Sequence, residues 1–197
     1  MNLFAGSEEK TNRAVIIAIV VIMAAIAGGV LLVSAPASRL LGESAYSIRS
    51  AFHGLFAGVL MVTVTIGMYQ AFRLWTGIPI NMKELGMGSV VNSAACFLTI
   101  LFGNWLYIPY RAEGGPRFYF VEKAPEIHKI FFEFKEFGAL FTLPLLVAAT
   151  YIIWQYGEKL NANRPLRMVV ALLLTLGFFY FIVAFGLGAA ITKLKAA

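Results

Sequence analysis

The most constraining feature of this sequence is a series of five long apolar stretches, separated by short charged or turn-forming segments. The first stretch holds about 21 residues without a charge, and a helix of that length, rising about 1.5 Å per residue, crosses a hydrocarbon core of about 30 Å. We therefore predict an all-α integral membrane helix bundle with about five transmembrane helices, as a single membrane domain over residues 1–197. The predicted spans are residues 14–34, 51–72, 89–108, 127–156 and 168–191.

The composition supports a membrane environment. Hydrophobic residues make up 60% of the chain and charged residues 13%, about half the charged share of ordinary soluble domains. The net charge of +6 comes from basic residues in short pieces between the apolar stretches, without a basic stripe or a recognition helix. We therefore expect the partners to be the lipid bilayer and other membrane subunits or further copies of the chain, and we expect no nucleic acid.

The orientation of the chain in the membrane is weakly encoded. Five spans place the two termini on opposite sides, and the side richer in Lys and Arg is normally cytoplasmic. Here the two sides carry nearly equal numbers of basic residues. We predict a cytoplasmic amino terminus, because the basic residues of the long loop on the opposite side are available for a ligand.

The two histidines of the chain point to a cofactor. His53 lies near the start of the second predicted span and His128 near the start of the fourth, so an alternating topology places both on the same side. Membrane cytochromes hold haem b between imidazoles from two helices. Gly54 and Gly58 flank His53 at a spacing that lets a flat macrocycle or another helix come close. We predict that His53 and His128 are axial ligands of haem iron.

Two arginines in the following loop extend this hypothesis. Arg111 and Arg117 lie on the same side and can pair with the carboxylates of haem propionates. Aligning the far ends of the second and fourth spans, however, offsets His53 from His128 by about 13 Å along the bundle. The alternative interpretation is that both histidines lie at the membrane interface with ordinary hydrogen-bond partners.

A charged segment opens the fourth span. Ionisable residues at membrane depth are costly and usually face a bundle interior or a wet cavity, so we predict that Glu133, Lys135 and Glu136 transfer protons. The alternative is a solvated helix end, since Lys129 and Glu133 neutralise each other at i, i+4. His128, Glu133 and Glu136 are also metal-ligand types, but the paired Glu-x-x-His motifs of di-iron bundles are missing from the sequence.

The connection between the third and fourth spans, residues 109–125, mixes aromatic and basic residues. We interpret Pro109 as the end of the third span, and the Gly114-Gly115-Pro116 turn predicts a short hairpin-like flap at the membrane interface. Such a flap suits a lid over a cofactor, a quinone or a lipid, or a docking surface for another subunit. Anchoring of aromatic residues in the interface explains it equally well.

Three functions remain open at this point. The first is a small membrane b-type cytochrome, or a membrane subunit of a quinone-linked redox complex. The second is a non-enzymatic structural or assembly subunit that binds partner helices, and the third is a transporter or channel. Nucleotide-binding and hydrolase motifs are missing from the sequence, and the third function is disfavoured because the spans show no repeated halves.

Overall fold

The computed structural model describes residues 45–196, together with residues 20, 23, 24, 27, 28 and 31. The last six are helical and fall within the predicted span at residues 14–34, most of which lies outside the described residues. The remaining described chain is helical, with short turns between its elements. The helices are α1 (Ala45–Thr76), α2 (Met82–Arg111), α3 (Pro116–Lys123), a π-helix (Ile127–Phe132), α4 (Glu133–Tyr156), α5 (Lys159–Ala162) and α6 (Arg164–Ala196).

Four of these elements are long and apolar enough to cross a membrane. They cover Ile48–Thr76, Met82–Arg111, Ile127–Tyr156 and Arg164–Ile191, each 28 to 30 residues long. The prediction of an all-α polytopic membrane bundle is confirmed. Each of these segments contains one predicted span. Ile127–Tyr156 coincides with its predicted span, whereas the other three extend beyond theirs by several residues, because interfacial residues continue the helix outside the hydrocarbon.

The four membrane-spanning helices form a closed ring. α1 packs against α2 and α6, and α4 packs against the same two helices. Short connections make neighbours in the chain antiparallel, so the ring has two ends. The end where α2 finishes and α4 begins carries α3 and is called the α3 end. The other end carries α5 and is called the α5 end.

Small and branched side chains fill the centre of the ring. Ala71, Ala149 and Ala171 are almost fully buried, among leucines such as Leu85 and Leu146. Lipid tails are as apolar as leucine, so burial alone does not drive helices together in a membrane, whereas small residues permit close packing. The core therefore owes its stability to packing contacts and to hydrogen bonds between helices.

Polar side chains join α2 to α4 inside the membrane. The hydroxyls of Ser93 and Thr150 lie 2.9 Å apart, and Thr150 also donates to the Ser89 carbonyl at 3.0 Å. Closer to the α5 end, the indole N–H of Trp154 donates to the Gly86 carbonyl at 3.1 Å. These bonds fix the register of α4 against α2, and the register in turn determines which residues meet at the α3 end.

The predicted hairpin between α2 and α4 is wrong. α2 continues past Pro109 to Arg111, and the chain then turns at Gly114, whose φ is +70°, into α3. Pro116 occupies the start of α3, where its fixed φ and missing N–H suit a first helical turn. Phe118, Tyr119 and Phe120 lie on this short helix and not on a strand of a hairpin. The helix packs against α2 and the π-helix.

Candidate functional site

A cavity of about 370 Å³ opens at the α3 end, between α2 and the start of α4. One wall comes from the last two turns of α2, the other from the π-helix and the first turns of α4, and α3 contributes from above. The cavity is amphipathic, with charged and hydroxyl groups toward the interface and apolar groups toward the hydrocarbon. Its lining residues are Tyr107, Arg111, Arg117, His128, Glu133, Glu136, Phe137 and Leu140.

The shortest polar contact in the cavity joins its two walls. The hydroxyl of Tyr107 donates to the carboxylate of Glu136 at 2.5 Å, and both side chains are half-buried. The guanidinium carbon of Arg111 lies 4.3 Å from the centre of the Tyr107 ring. A carboxylate, a phenol and a cation thus meet at one point, in a form suited to accepting and returning a proton.

His128 occupies the protected side of the cavity. Only 7% of its surface is exposed, and its Nδ1 lies 3.4 Å from the hydroxyl of Tyr110. Tyr110 in turn stacks on Phe132, with ring centres 4.7 Å apart. The imidazole is therefore held by an aromatic cluster, while the charged groups in its surroundings are Arg117, Glu133 and Arg111.

The π-helix explains how His128 and Glu133 line the same cavity. Residues five apart point in different directions on an α-helix, whereas a π-helix closes hydrogen bonds between residues five apart and brings them over each other. The backbone N–H of Glu133 contacts the carbonyl of His128, five residues earlier. The widened turn therefore adds His128 to the face that carries Glu133 and Glu136.

Lys135 belongs to different surroundings, although the sequence groups it with its neighbours. Its side chain is half-buried and turns toward α6, where its Cε lies 3.4 Å from the position that a Cβ would take on Gly188. Its Nζ lies 5.1 Å from the centre of the Phe132 ring. Glycine at 188 makes room for this lysine, which does not line the cavity.

His53 also lies away from the cavity. Its Nδ1 is 2.9 Å from the carbonyl oxygen of Thr99, and its ring packs so close to Gly103 that a Cβ there would stand 3.0 Å from the imidazole. Lys135 is a charged neighbour of His53. The structure thus separates the predicted residues into a cavity group, with Arg111, Arg117, His128, Glu133 and Glu136, and an inner pair, His53 and Lys135.

The two histidines do not converge in this structure. His53 contacts α2 at Thr99 and His128 contacts it at Tyr110, which are about 16 Å apart along the helix at 1.5 Å per residue. This separation is similar to the offset expected from the sequence. Each imidazole has its own partner on α2. Ligation of a single haem by both histidines therefore stays a prediction that requires the helices to slide.

Within the described part of the chain, no group of three or more His, Cys, Asp or Glu residues is placed to hold a metal ion. Cys96, whose surface is 1% exposed, lies in the apolar core of the ring.

Three cavity residues, Tyr107, Phe137 and Leu140, are not among the candidate site residues predicted from the sequence. A signal for Tyr107 exists, because it lies at the end of one span and Glu136 at the start of the next, and antiparallel neighbours bring these ends together. Comparison with known proteins adds no further residue, since no protein-family model, curated protein or solved structure matches this chain.

Proposed function

We propose that this protein is the membrane subunit of a quinone-linked redox complex and that the cavity at the α3 end binds the quinone headgroup. The observation that carries the proposal is the Tyr107–Glu136 hydrogen bond inside a cavity that also presents His128 and two arginines. A quinone headgroup is a flat ring with two carbonyl oxygens, and these accept hydrogen bonds from groups such as guanidinium and imidazole.

The proton chemistry supports this choice. Reduction of a quinone to a quinol takes up two electrons and two protons. Glu136 and Tyr107 share a proton across the cavity, and His128 offers a second exchangeable site on the protected side. The residues of this chain handle the protons, while the electrons come from a redox partner or from a haem.

The shape of the cavity fits an amphiphile. Phe137 and Leu140 line its membrane side, and their side chains are 69% and 54% exposed on the outward face of α4. An isoprenoid tail leaving the headgroup site therefore passes directly into lipid along these residues. Charged groups at the interface and an open apolar edge below them match a headgroup with a long apolar tail.

Haem b is the proposed electron carrier, with His53 as the better placed ligand. Because the Nδ1 of His53 lies within hydrogen-bond distance of the Thr99 carbonyl, we assign the hydrogen to Nδ1, which leaves the Nε2 lone pair for a metal. Histidines that ligate metals commonly make such a bond to a backbone carbonyl. His128, whose Nδ1 faces a phenol, remains the second proposed ligand.

The test is quinone binding by the full chain in lipid nanodiscs. Quinones quench indole fluorescence, and Trp105 lies two residues before Tyr107. We expect saturable quenching by a short-chain quinone analogue and normal affinity in Glu122→Gln. Glu136→Gln should lose about tenfold or more in affinity, because the charged acceptor that holds the Tyr107 hydroxyl in the cavity becomes a neutral amide. Glu122 is exposed, pairs with Lys123 on α3 and does not line the cavity, so it is a matched control.

Two results would contradict the proposal: quenching that never saturates in the wild type, or equal affinity in the wild type and Glu136→Gln. The haem component has a separate readout. Absorption spectra of protein expressed with ample haem should show b-type bands that are lost or shifted in His53→Ala, and the absence of these bands would remove haem but leave the quinone site standing.

A second candidate, an assembly subunit that binds partner helices, is favoured by the outer face of α1. Gly54 and Gly58 are exposed, and a Cβ on either would meet no described atom within 4 Å. Such a pair permits close approach of another helix backbone. If this is the function, Gly58→Leu abolishes co-purification with membrane partners, while Val62→Leu on the same helix preserves it.

A further inference from the structure

An apolar groove of about 300 Å³ runs along the outer surface of the ring near the α5 end, where α1 meets α6. Phe72 and Trp75, in the last turns of α1, are both more than half exposed, so the groove is open to lipid along one side. It lies at the opposite end of the molecule from the quinone cavity. Its lining residues are Met68, Ala71, Phe72, Trp75, Leu172 and Thr175.

A basic group lies against the turn that follows α1, beyond the interfacial end of this groove. The guanidinium of Arg167 donates to the carbonyl of Asn161, and one Nη lies 3.3 Å from the position of a Cβ on Gly77, two residues beyond Trp75. The Nε of Arg167 is buried and has no hydrogen-bond partner among the described residues. The positive charge of this guanidinium favours an anionic oxygen nearby.

The start of α6 adds to the same field. The helix begins at Arg164, whose side chain is exposed, and the positive end of the helix dipole lies at this interface. Asn163 accepts a hydrogen bond from the N–H of Leu166 and so satisfies part of this turn. Phosphate groups bind well where a helix amino terminus and arginine side chains coincide.

The charge balance of the surrounding segments is also positive. Across residues 73–84 and 158–167 there are five basic side chains and two acidic ones. The acidic side chains are Glu84, which accepts a hydrogen bond from Asn81, and Glu158, which accepts one from Asn161. The excess of basic over acidic side chains in these two segments attracts an anion.

We propose that the α1–α6 groove binds an anionic phospholipid, with an acyl chain against Phe72, Trp75 and Leu172 and the phosphate at Arg167 and Arg164. The apolar groove lies in the membrane-spanning part of α1 and α6, and the basic end lies beyond it at headgroup level. This placement matches the two chemical halves of such a lipid. The site is separate from the quinone cavity and does not depend on the function proposed for it.

The experiment measures thermal unfolding of delipidated full-length protein in detergent. Phosphatidylglycerol should raise the melting temperature by about 5 °C or more at saturating lipid, because a ligand that binds only the folded state stabilises it. Phosphatidylcholine with identical acyl chains and inorganic phosphate should each have little effect, and these two arms separate a lipid site from a surface site or a free-phosphate site.

Two variants define the site. Thr175→Trp fills the groove and Arg164→Gln removes an exposed cation, and each should reduce the phosphatidylglycerol shift by half or more. Val147→Trp, on the exposed face of α4, and Lys129→Gln, at the α3 end, are controls that keep the wild-type shift. The proposal is overturned if both lipids stabilise the protein equally or if Arg164→Gln responds like the wild type.

Discussion

Close contacts between α1 and α2 depend on single glycines. A Cβ placed on Gly67 would stand 3.0 Å from the Nδ2 of Asn92, and both residues are buried. Gly58, nine residues earlier on α1, is exposed, and a Cβ there would meet none of the described atoms within 4 Å. Two glycines in the same helix therefore have different roles, since one permits packing within the ring and the other leaves a surface open.

This difference is testable by substitution. We expect Gly67→Val to lower the free energy of unfolding by about 1–3 kcal/mol, because the branched side chain forces Asn92 out of its position. The matched change Gly58→Val should alter it by less than about 0.5 kcal/mol. Chemical unfolding in mixed micelles measures both. Equal effects would show that Gly67 is not a close-packing position.

Five of the cavity residues could be predicted individually, because charged side chains and histidines are rare in this sequence. Arg111, Arg117, His128, Glu133 and Glu136 stand out in an apolar sequence, and all five line the cavity. Direction around a helix is harder to predict. Lys135 lies beside Glu136 in sequence and yet faces α6, because adjacent residues on an α-helix point about 100° apart.

At the level of elements, polar contacts hold α2 and α4 in register. Thr150 donates to the Ser89 and Leu146 carbonyls and contacts Ser93, whereas the exposed Thr65 bonds only to Met61 in its own helix. Hydrogen bonds between membrane helices contribute modestly, because the separated helices also find partners.

We therefore expect a double-mutant cycle between Ser93→Ala and Thr150→Val to give a coupling free energy of about 0.5–1.5 kcal/mol. Thr65→Val, which removes the same hydroxyl from a lipid-facing position, should show no coupling to Ser93→Ala. Unfolding in mixed micelles is again the measurement. A coupling free energy indistinguishable from zero would mean that packing alone sets the register.

The π-helix is an element that the sequence pattern did not reveal. The charged segment predicted a regular helix. Its apolar residues Ile127, Ile130, Phe131 and Phe132 fall on several faces, which hides the shift of one residue that a π-turn introduces. Local conformation also overrode the hairpin prediction, since Pro116 after Gly115 starts a helix as readily as it follows a turn. Helix existence was thus predictable here, while helix irregularities were not.

Deleting Ile130, which is 55% exposed, tests the role of this turn. Loss of one residue lets the turn become α-helical and leaves His128 four residues before Glu133, so the two side chains still share a face. We expect far-UV circular dichroism to be unchanged and affinity for the quinone analogue to stay within about threefold of the wild type. Deleting both Ile130 and Phe131 instead rotates His128 by about 100° relative to Glu136 and should lower the affinity at least tenfold. Wild-type affinity in the double deletion, or a tenfold loss in the single deletion, would refute the role given to the π-helix.

At the level of the whole molecule, the sequence predicted the spans but not their neighbours in the ring. Helices such as α1 are apolar on nearly every face, with Leu55, Val62 and Ile66 exposed and Leu60 and Val64 buried. The lipid and the protein interior are both apolar and accept the same side chains, so hydropathy does not show which face of a helix packs against its neighbours. The closed order of α1, α2, α4 and α6 emerges only from the contacts.

The ring places the α2–α3 connection and the α4–α5 connection on opposite sides of the membrane. Glu113, between α2 and α3, and Glu158, between α4 and α5, are exposed at opposite ends of an antiparallel bundle. If the span at residues 14–34 crosses the membrane and the amino terminus is cytoplasmic, as predicted, the α3 end faces away from the cytoplasm and the α5 end faces it.

Single-cysteine labelling measures this. In a Cys96→Ala background, Glu113→Cys should react with a membrane-impermeant maleimide in right-side-out vesicles, and Glu158→Cys should react only in inverted vesicles. The unmodified chain is the control and should stay unlabelled, because Cys96 is buried. The reverse pattern would overturn the cytoplasmic amino terminus and leave the ring intact, whereas labelling of both positions from the same side would contradict the antiparallel ring.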